Sequence, residues 1–222
     1  MTGGAHQDVP VRDAATVIIV RDAARAPKVL MGQRGKGAIF MPNKFVFPGG
    51  AVDAEDGRVA LGTPLDTVCR KRLTLHATDA SPEALAVAAI REVWEETGHR
   101  FAVTDTDGQG GAWSGFGGAP SASALRFFFR AVTPPGRPRR FDARFFLAPA
   151  EALADDPDAL PQASDELSHL TWVPLSEVRA LDTAFVTELV LAELSRHLPS
   201  LDAPERVPFV RADSLSSDVI WL

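Results

Sequence analysis

The 222 residues, 45% hydrophobic and 23% charged, suffice for one large domain that buries about 70% of its unfolded surface, and they exclude a collagen-like, repeat-array or wholly disordered chain. A formal charge of -6 provides no basic field for a nucleic-acid backbone or an anionic membrane, so neither is an expected partner and an anionic substrate must be met locally. The single cysteine, Cys69, cannot close an internal disulfide, and neither a leader pattern nor a run of about 20 apolar residues is present, so the cytoplasm is the expected compartment.

Residues 14–20 (AATVIIV) form a β-branched run suited to a buried strand, and residues 28–33 read as the next strand. Gly32, Gly35 and Gly37 then break the pattern around Arg34. Residues 45–47 (FVF) read as a short strand stopped in a turn by Pro48-Gly49-Gly50. Residues 51–80 are poorly patterned, with a short helix expected from about Thr63-Pro64 to Arg72, and they read as an insertion. Ser81 as N-cap, Pro82 at the first helical position, Glu83 in the first turn and Gly98 beyond the end define a helix over residues 82–97. A glycine-rich loop over 107–120 follows, then strands at 125–132 and 141–147 flanking a proline-rich turn. A short strand at 171–174, a turn or helix from Leu175 and a helix over 184–198 complete the pattern, and the tail is ambiguous.

At about 100° per residue, Glu95 lies at about 300° and Glu96 at about 40° from Glu92, so three carboxylates share one helix face. Ala86, Ile90, Val93 and Thr97 make the opposite stripe, and the acids are therefore expected to point away from the core toward an open cleft. Like charges three and four residues apart repel, and only Arg91 and Arg100 offset this locally. A divalent cation would do so better, because Mg2+ takes carboxylate oxygens and bridges to phosphates. A solvated acidic face is the other reading of the same spacing. The glycines of Phe47-Pro48-Gly49-Gly50 free the backbone, so a carbonyl can approach an ion, and Asp53, Glu55 and Asp56 add acid close behind.

Gly49-Gly50, Asp56 and REVWEETG (residues 91–98) resemble the Nudix box of the Nudix hydrolases: a glycine, five residues, Glu, seven residues, then REUXEEXGU with U aliphatic. Three departures stand out. Asp56 replaces the first glutamate, His99 replaces an aliphatic residue, and 34 residues instead of seven separate Asp56 from Arg91. A box interrupted in this way, with FMPNKFVFPGGAVD and RRFDARFFLA, is similar to a branch of the family that includes the peroxisomal coenzyme A diphosphatases, although the LLTxR-type motif is absent before FPGG. The resemblance spans about residues 14–181.

It implies a single α/β/α sandwich around a mixed β-sheet over residues 1–222, with an insertion at about 57–81 and a tail at about 200–222. It also implies metal-dependent hydrolysis of a diphosphate linkage in a nucleoside diphosphate derivative. Coenzyme A or an acyl-coenzyme A leads, with ADP-ribose and dinucleotides as alternatives and a homodimer as one arrangement of the chain. Carried over by position, Glu92, Glu95 and Glu96 hold or orient Mg2+ or Mn2+, the Gly49 carbonyl is a further ligand, and Arg91 braces the acids. Asp56, one methylene shorter than Glu, is a weaker ligand with Glu55 beside it. The general base of the family lies outside the box; Glu166 is the candidate, with Asp165 its neighbouring alternative and an exposed loop acid the other reading.

Arg34 is either a bidentate phosphate contact or a surface arginine. Arg137, Arg139 and Arg140 either meet the 3'-phosphate of coenzyme A or form a solvated turn, and Trp113 and Phe116 either stack on a base as a lid or are incidental to a loop. The histidines His6, His76, His99, His169 and His197 lack zinc spacing. The rival class is a non-catalytic nucleotide-binding module of the same fold, favoured by Asp56 and the insertion and disfavoured by the intact acid triplet.

Overall fold

In the computed structural model, which describes residues 9–35, 41–103, 113–160, 167–212 and 217–222, the β-branched run near the N-terminus forms the central strand β1 (Val11–Arg21). β8 (Arg140–Pro149) lies parallel to it from Val11 to Val20. The opposite edge of β1 is shared: β2 (Lys28–Arg34) pairs antiparallel with Val20 and Arg21, and β4 (Gly49–Ala51) pairs antiparallel with residues 14–16. β3 (Phe45–Val46) and β9 (Leu167–Pro174) both pair with β2. Beyond β8 come β7 (Arg126–Val132), antiparallel, β10 (Pro208–Ala212), parallel to β7, and β11 (Ser217–Trp221), antiparallel to β10. Among the described residues these make one mixed nine-stranded sheet, and β5 (Ala102–Val103) and β6 (Ala119–Pro120) pair separately.

Strand periodicity divides β1 between two cores. Ala15, Val17 and Ile19 pack under α2 (Pro82–Thr97), whereas Ile18 and Val20 pack against Val190, Leu191 and Leu194 of α3 (Phe185–His197) on the other face. The result is the α/β/α sandwich that the resemblance implied. α2 begins and ends where its local signals place it: Ser81 Oγ accepts from the Ala84 amide at 3.1 Å, and Gly98, at φ 72°, donates to the Trp94 carbonyl. Residues 84–93 are all buried, so α2 is a core helix with no solvated face along that length.

Several expectations need correction. Gly49-Gly50 is not a turn after β3 but part of β4, held by β1 even though glycine carries no strand preference of its own. The short helix α1 is Thr67–Leu73 and starts after Asp66, whose carboxylate accepts from the Val68 and Cys69 amides, not at Thr63-Pro64. Its Cys69 and Leu73 are buried, and Cys69 Sγ accepts from the Phe127 amide at 3.2 Å, so the insertion is built into the core. In the C-terminal tail, β10 and β11 pair antiparallel, Pro208 with Trp221 through Ala212 with Ser217. The tail touches the insertion: Arg72 donates to the Pro204 and Glu205 carbonyls, and Phe209 lies under the Arg130 guanidinium at 4.1 Å and beside the His76 ring. No helix among the described residues is long and apolar enough to cross a membrane.

Candidate active site

The site forms where β4 passes under the second half of α2. Gly49 and Gly50 pair with Thr16 and Ala15, and both positions exclude a side chain. A Cβ on Gly49 would lie 2.6 Å from the Ala15 carbonyl oxygen and Thr16 Cα, and one on Gly50 would lie 2.5 Å from Glu92 Cδ. The two glycines therefore let the strand approach the helix carboxylates directly. The Gly49 amide donates to Glu96 Oε2 at 2.8 Å.

The three glutamates do not share one environment. Glu92 and Glu96 are 9% and 4% exposed, one turn apart and buried beside β4, whereas Glu95 keeps 44% of its side chain in solvent. The expectation that all three point into an open cleft is corrected accordingly. The edge of α2 carrying Glu92 and Glu96, residues i and i+4, faces the strand that has no side chains to fill the gap, and Glu95, about 60° from Glu92 on the side away from Glu96, turns outward.

Arg91 is the hub. It is 6% exposed. Its Nε and Nη2 donate to the two Asp56 oxygens at 2.9 and 3.0 Å, Nη1 donates to Glu92 Oε1 and Glu95 Oε2 at 2.9 Å, and Nη2 also reaches the Ala51 carbonyl at 3.0 Å. Burial alone would lower the guanidinium pKa, but the Asp56 hydrogen bonds and the charges of Glu92, Asp56 and Glu95 outweigh it and hold Arg91 more firmly protonated than usual. Asp56 is itself 2% exposed, and its Oδ2 also accepts from the Asp53 amide at 2.8 Å. Both of its oxygens are thus engaged by Arg91 and the local turn. Sequence reasoning did not find this anchoring, because the bidentate pair joins residues separated by the whole insertion and no local spacing announces it.

Among the described residues, no three carboxylate, histidine or cysteine side chains converge as a ready-made metal cluster, since Arg91 draws Glu92 and Glu95 toward itself. The donors nonetheless fit a hard divalent ion. Glu92 and Glu96 are oxygen donors one turn apart beside a glycine backbone, and the space at Gly50 is space a Cβ would fill. Formally one guanidinium faces four carboxylates, an imbalance that a cation relieves.

The remaining candidates are scattered. Arg34 ends β2, with Nε buried and, among the described residues, without a hydrogen-bond partner. Arg137 and Arg139 are exposed, and Arg140 pairs with Val11 and donates to the Thr133 carbonyl at 3.1 Å. That register puts Arg140 about 16 Å along β1 from Thr16, where Gly49 pairs, so the basic turn is not brought to the glutamates. Asp165 and Glu166 lie outside the described residues. Trp113 and Phe116 are neither lid nor loop ornament: 3% and 0% exposed, they pack on each other at 4.7 Å and on Trp94 of α2 at 6.3 and 5.3 Å, closing the core over the helix end. His99 is also buried, and desolvation lowers its pKa despite the nearby Asp155 and Asp156.

The comparisons with known proteins agree with this geometry. The family model described as the NUDIX domain matches residues 10–194. A curated relative from Caenorhabditis elegans named "Putative nudix hydrolase 7" is 29% identical over 200 residues, covering 81% of this chain and 56% of the relative, so the chain spans about half of that protein's length. The crystal structure of a NUDIX hydrolase from Alicyclobacillus acidocaldarius is 30% identical with a TM-score of 0.66, covering 88% of this chain and 99% of that one. A MutT protein from Methanosarcina mazei shares the fold at 16% identity and a TM-score of 0.50, over 85% of this chain and 96% of that one. With a mixed sheet in a sandwich, a glycine strand apposed to REVWEETG and a family match over most of its length, the chain belongs to the Nudix family.

Proposed function

We propose that the chain hydrolyses a diphosphate linkage in a nucleoside diphosphate derivative, with coenzyme A and acyl-coenzyme A the first compounds to test. The observation that carries the reading is the burial of Glu92 and Glu96 against Gly49-Gly50, with Arg91 locked beside them. Coenzyme A rests on the resemblance of the interrupted box and of the segments FMPNKFVFPGGAVD and RRFDARFFLA to one branch of the family.

Nudix hydrolases generally use divalent metal ions. Here Glu92, Glu96 and the Gly49 carbonyl would hold Mg2+ or Mn2+, with the exposed Glu95 orienting it; such an ion neutralises nonbridging phosphate oxygens and activates water. The rest falls to side chains. Asp56 acts through Arg91, fixing the guanidinium that keeps Glu92 and Glu95 in place. Glu166 takes the proton of the attacking water. Arg34, whose buried Nε lacks a partner among the described residues, binds a phosphate oxygen. Arg139 and Arg140 can meet only a remote group of the ligand, as the 3'-phosphate of coenzyme A would be.

The test is phosphomonoester release from coenzyme A, acetyl-coenzyme A, ADP-ribose, NADH, diadenosine polyphosphates and nucleoside triphosphates with Mg2+ or Mn2+, beside the Glu96→Gln variant. Metal-dependent cleavage of one compound, lost in the variant, is the expected result. The engagement of Glu92 and Glu95 by Arg91 favours one other reading, a module that binds such a nucleotide without cleaving it. Calorimetric binding of one of these compounds with no cleavage of any would establish that instead.

A further inference from the structure

The insertion divides the site in the chain, with Gly49 to Asp56 before it and the helix from Ser81 to Glu96 after it. Besides the direct Arg91–Asp56 and Gly49–Glu96 contacts, the two halves are joined through one residue of β1 that lies outside both. The Asp13 carbonyl accepts from the Val52 amide at 2.9 Å, immediately after β4. The Asp13 carboxylate accepts from the Thr78 hydroxyl and, at 3.0 Å, from the amide of Ala80, the residue before the α2 N-cap.

Buried charge holds this junction from the sheet side. Arg144 of β8, 1% exposed, donates to Asp13 through Nη1 and to the Thr78 hydroxyl through Nη2 at 2.7 Å. Next to it Asp142 pairs with Arg130 of β7 at 2.8 and 2.6 Å, and Arg130 donates to the Leu75 and His76 carbonyls at 3.0 and 2.8 Å. The returning end of the insertion, from Leu75 to Ala80, is thus gripped by charges on three strands. Burial would raise the Asp13 pKa, but Thr78, Arg144 and the Ala80 amide together hold its carboxyl below the usual carboxylate range, so it stays ionised opposite Arg144. Buried ion pairs add little net stability over apolar residues of similar volume, and their best-attested use is to fix register. Apolar side chains would have packed the insertion without choosing where it returns.

We infer that Asp13, with Thr78 and Arg144, is a positioning device that sets α2 against β4 across the insertion, and so places Glu92 and Glu96 at Gly49-Gly50. The inference builds on the catalytic reading above for its effect on turnover, and not for its structural content.

Thr78→Val, which keeps the shape and removes the hydroxyl, tests it, with Thr78→Ser as the conservative partner. Amide hydrogen exchange of Gly49 and Val52 is compared with that of β1 core amides, and kcat and KM are measured on whichever compound is cleaved. In Thr78→Val, Gly49 and Val52 exchange at least about tenfold faster relative to the core, kcat falls about tenfold with KM within about twofold, and Thr78→Ser restores both. Exchange that rises equally everywhere, or does not rise, overturns the inference. If the wild type cleaves nothing, the exchange still decides, and the failure falls on the catalytic reading alone. Should Thr78→Val not fold, Asp13→Asn, which sets an NH2 group opposite the Ala80 amide, is read in the same way.

Discussion

Adding one methyl group at Gly50 and one at Gly49 should have opposite signatures. In Gly50→Ala the new Cβ falls 2.5 Å from Glu92 Cδ. Ordinary carbon contacts need about 3.5 Å, so the carboxylate must retreat by about 1 Å. It can do so cheaply, because it is the tip of a flexible side chain, and the melting temperature is expected to stay within about 3 °C of wild type. Turnover should fall about a hundredfold, the usual consequence of a misplacement of that size at a reacting centre. In Gly49→Ala the Cβ falls 2.6 Å from the Ala15 carbonyl oxygen and Thr16 Cα, which are main-chain atoms of the central strand and cannot step aside. Overpacking of that kind costs about 1–3 kcal/mol, or about 2–12 °C in a chain of this length. Thermal melts followed by circular dichroism, with kcat on the cleaved substrate, separate the two. If Gly50→Ala melts as low as Gly49→Ala, or is stable and turns over like wild type, then Gly50 is not the residue that makes room for Glu92.

Two further outcomes follow from buried charge. Asp56→Ala leaves the Arg91 guanidinium, 6% exposed, without its bidentate partner, and should lower stability by about 3 kcal/mol, read as a shift of the urea midpoint at constant slope; a loss under about 1 kcal/mol would mean Arg91 does not depend on Asp56. His99 has a folded pKa below its ordinary 6.5 because it is buried. The unfolded chain therefore takes up a proton that the native state refuses, and stability is full above about pH 6.5 and declines as pH falls from there toward the folded value. His99→Leu should flatten urea midpoints measured from pH 7.5 to 5, and an unchanged slope would assign the decline to other groups.

Much of the helix that carries the glutamates was readable because its signals are local: the Ser81 cap, Pro82 and Gly98 need no tertiary partner to act. The strand beneath it was not. Gly49-Gly50 has no strand preference, and it is a strand only because β1 offers it a ladder. The same blindness hid the burial of Glu92 and Glu96. A helical wheel ranks faces by the polarity of their own residues and carries no information about a glycine backbone lying opposite. Arg130, Asp142 and Arg144 carry no local signal of burial in their strands, and they are interior where the end of the insertion and Phe209 lie against them. Trp113 and Phe116 sat in a glycine-rich stretch whose composition suggested a surface loop, while their partner Trp94 is close to twenty residues away in the chain.

The insertion and the C-terminal strand pair look like two separate accretions in the chain, one inside the box and one beyond the family match that ends at residue 194. In space they lean on each other through Arg72 on the Pro204 and Glu205 carbonyls and through Phe209 beneath Arg130 and His76. Loss of the chain from residue 204 onward would leave Arg72 without those carbonyls and His76 without the Phe209 ring; loss of the insertion would take His76 from the side of Phe209. Each piece thus forms part of the other's surroundings, so a change in the length of either should be felt at the other.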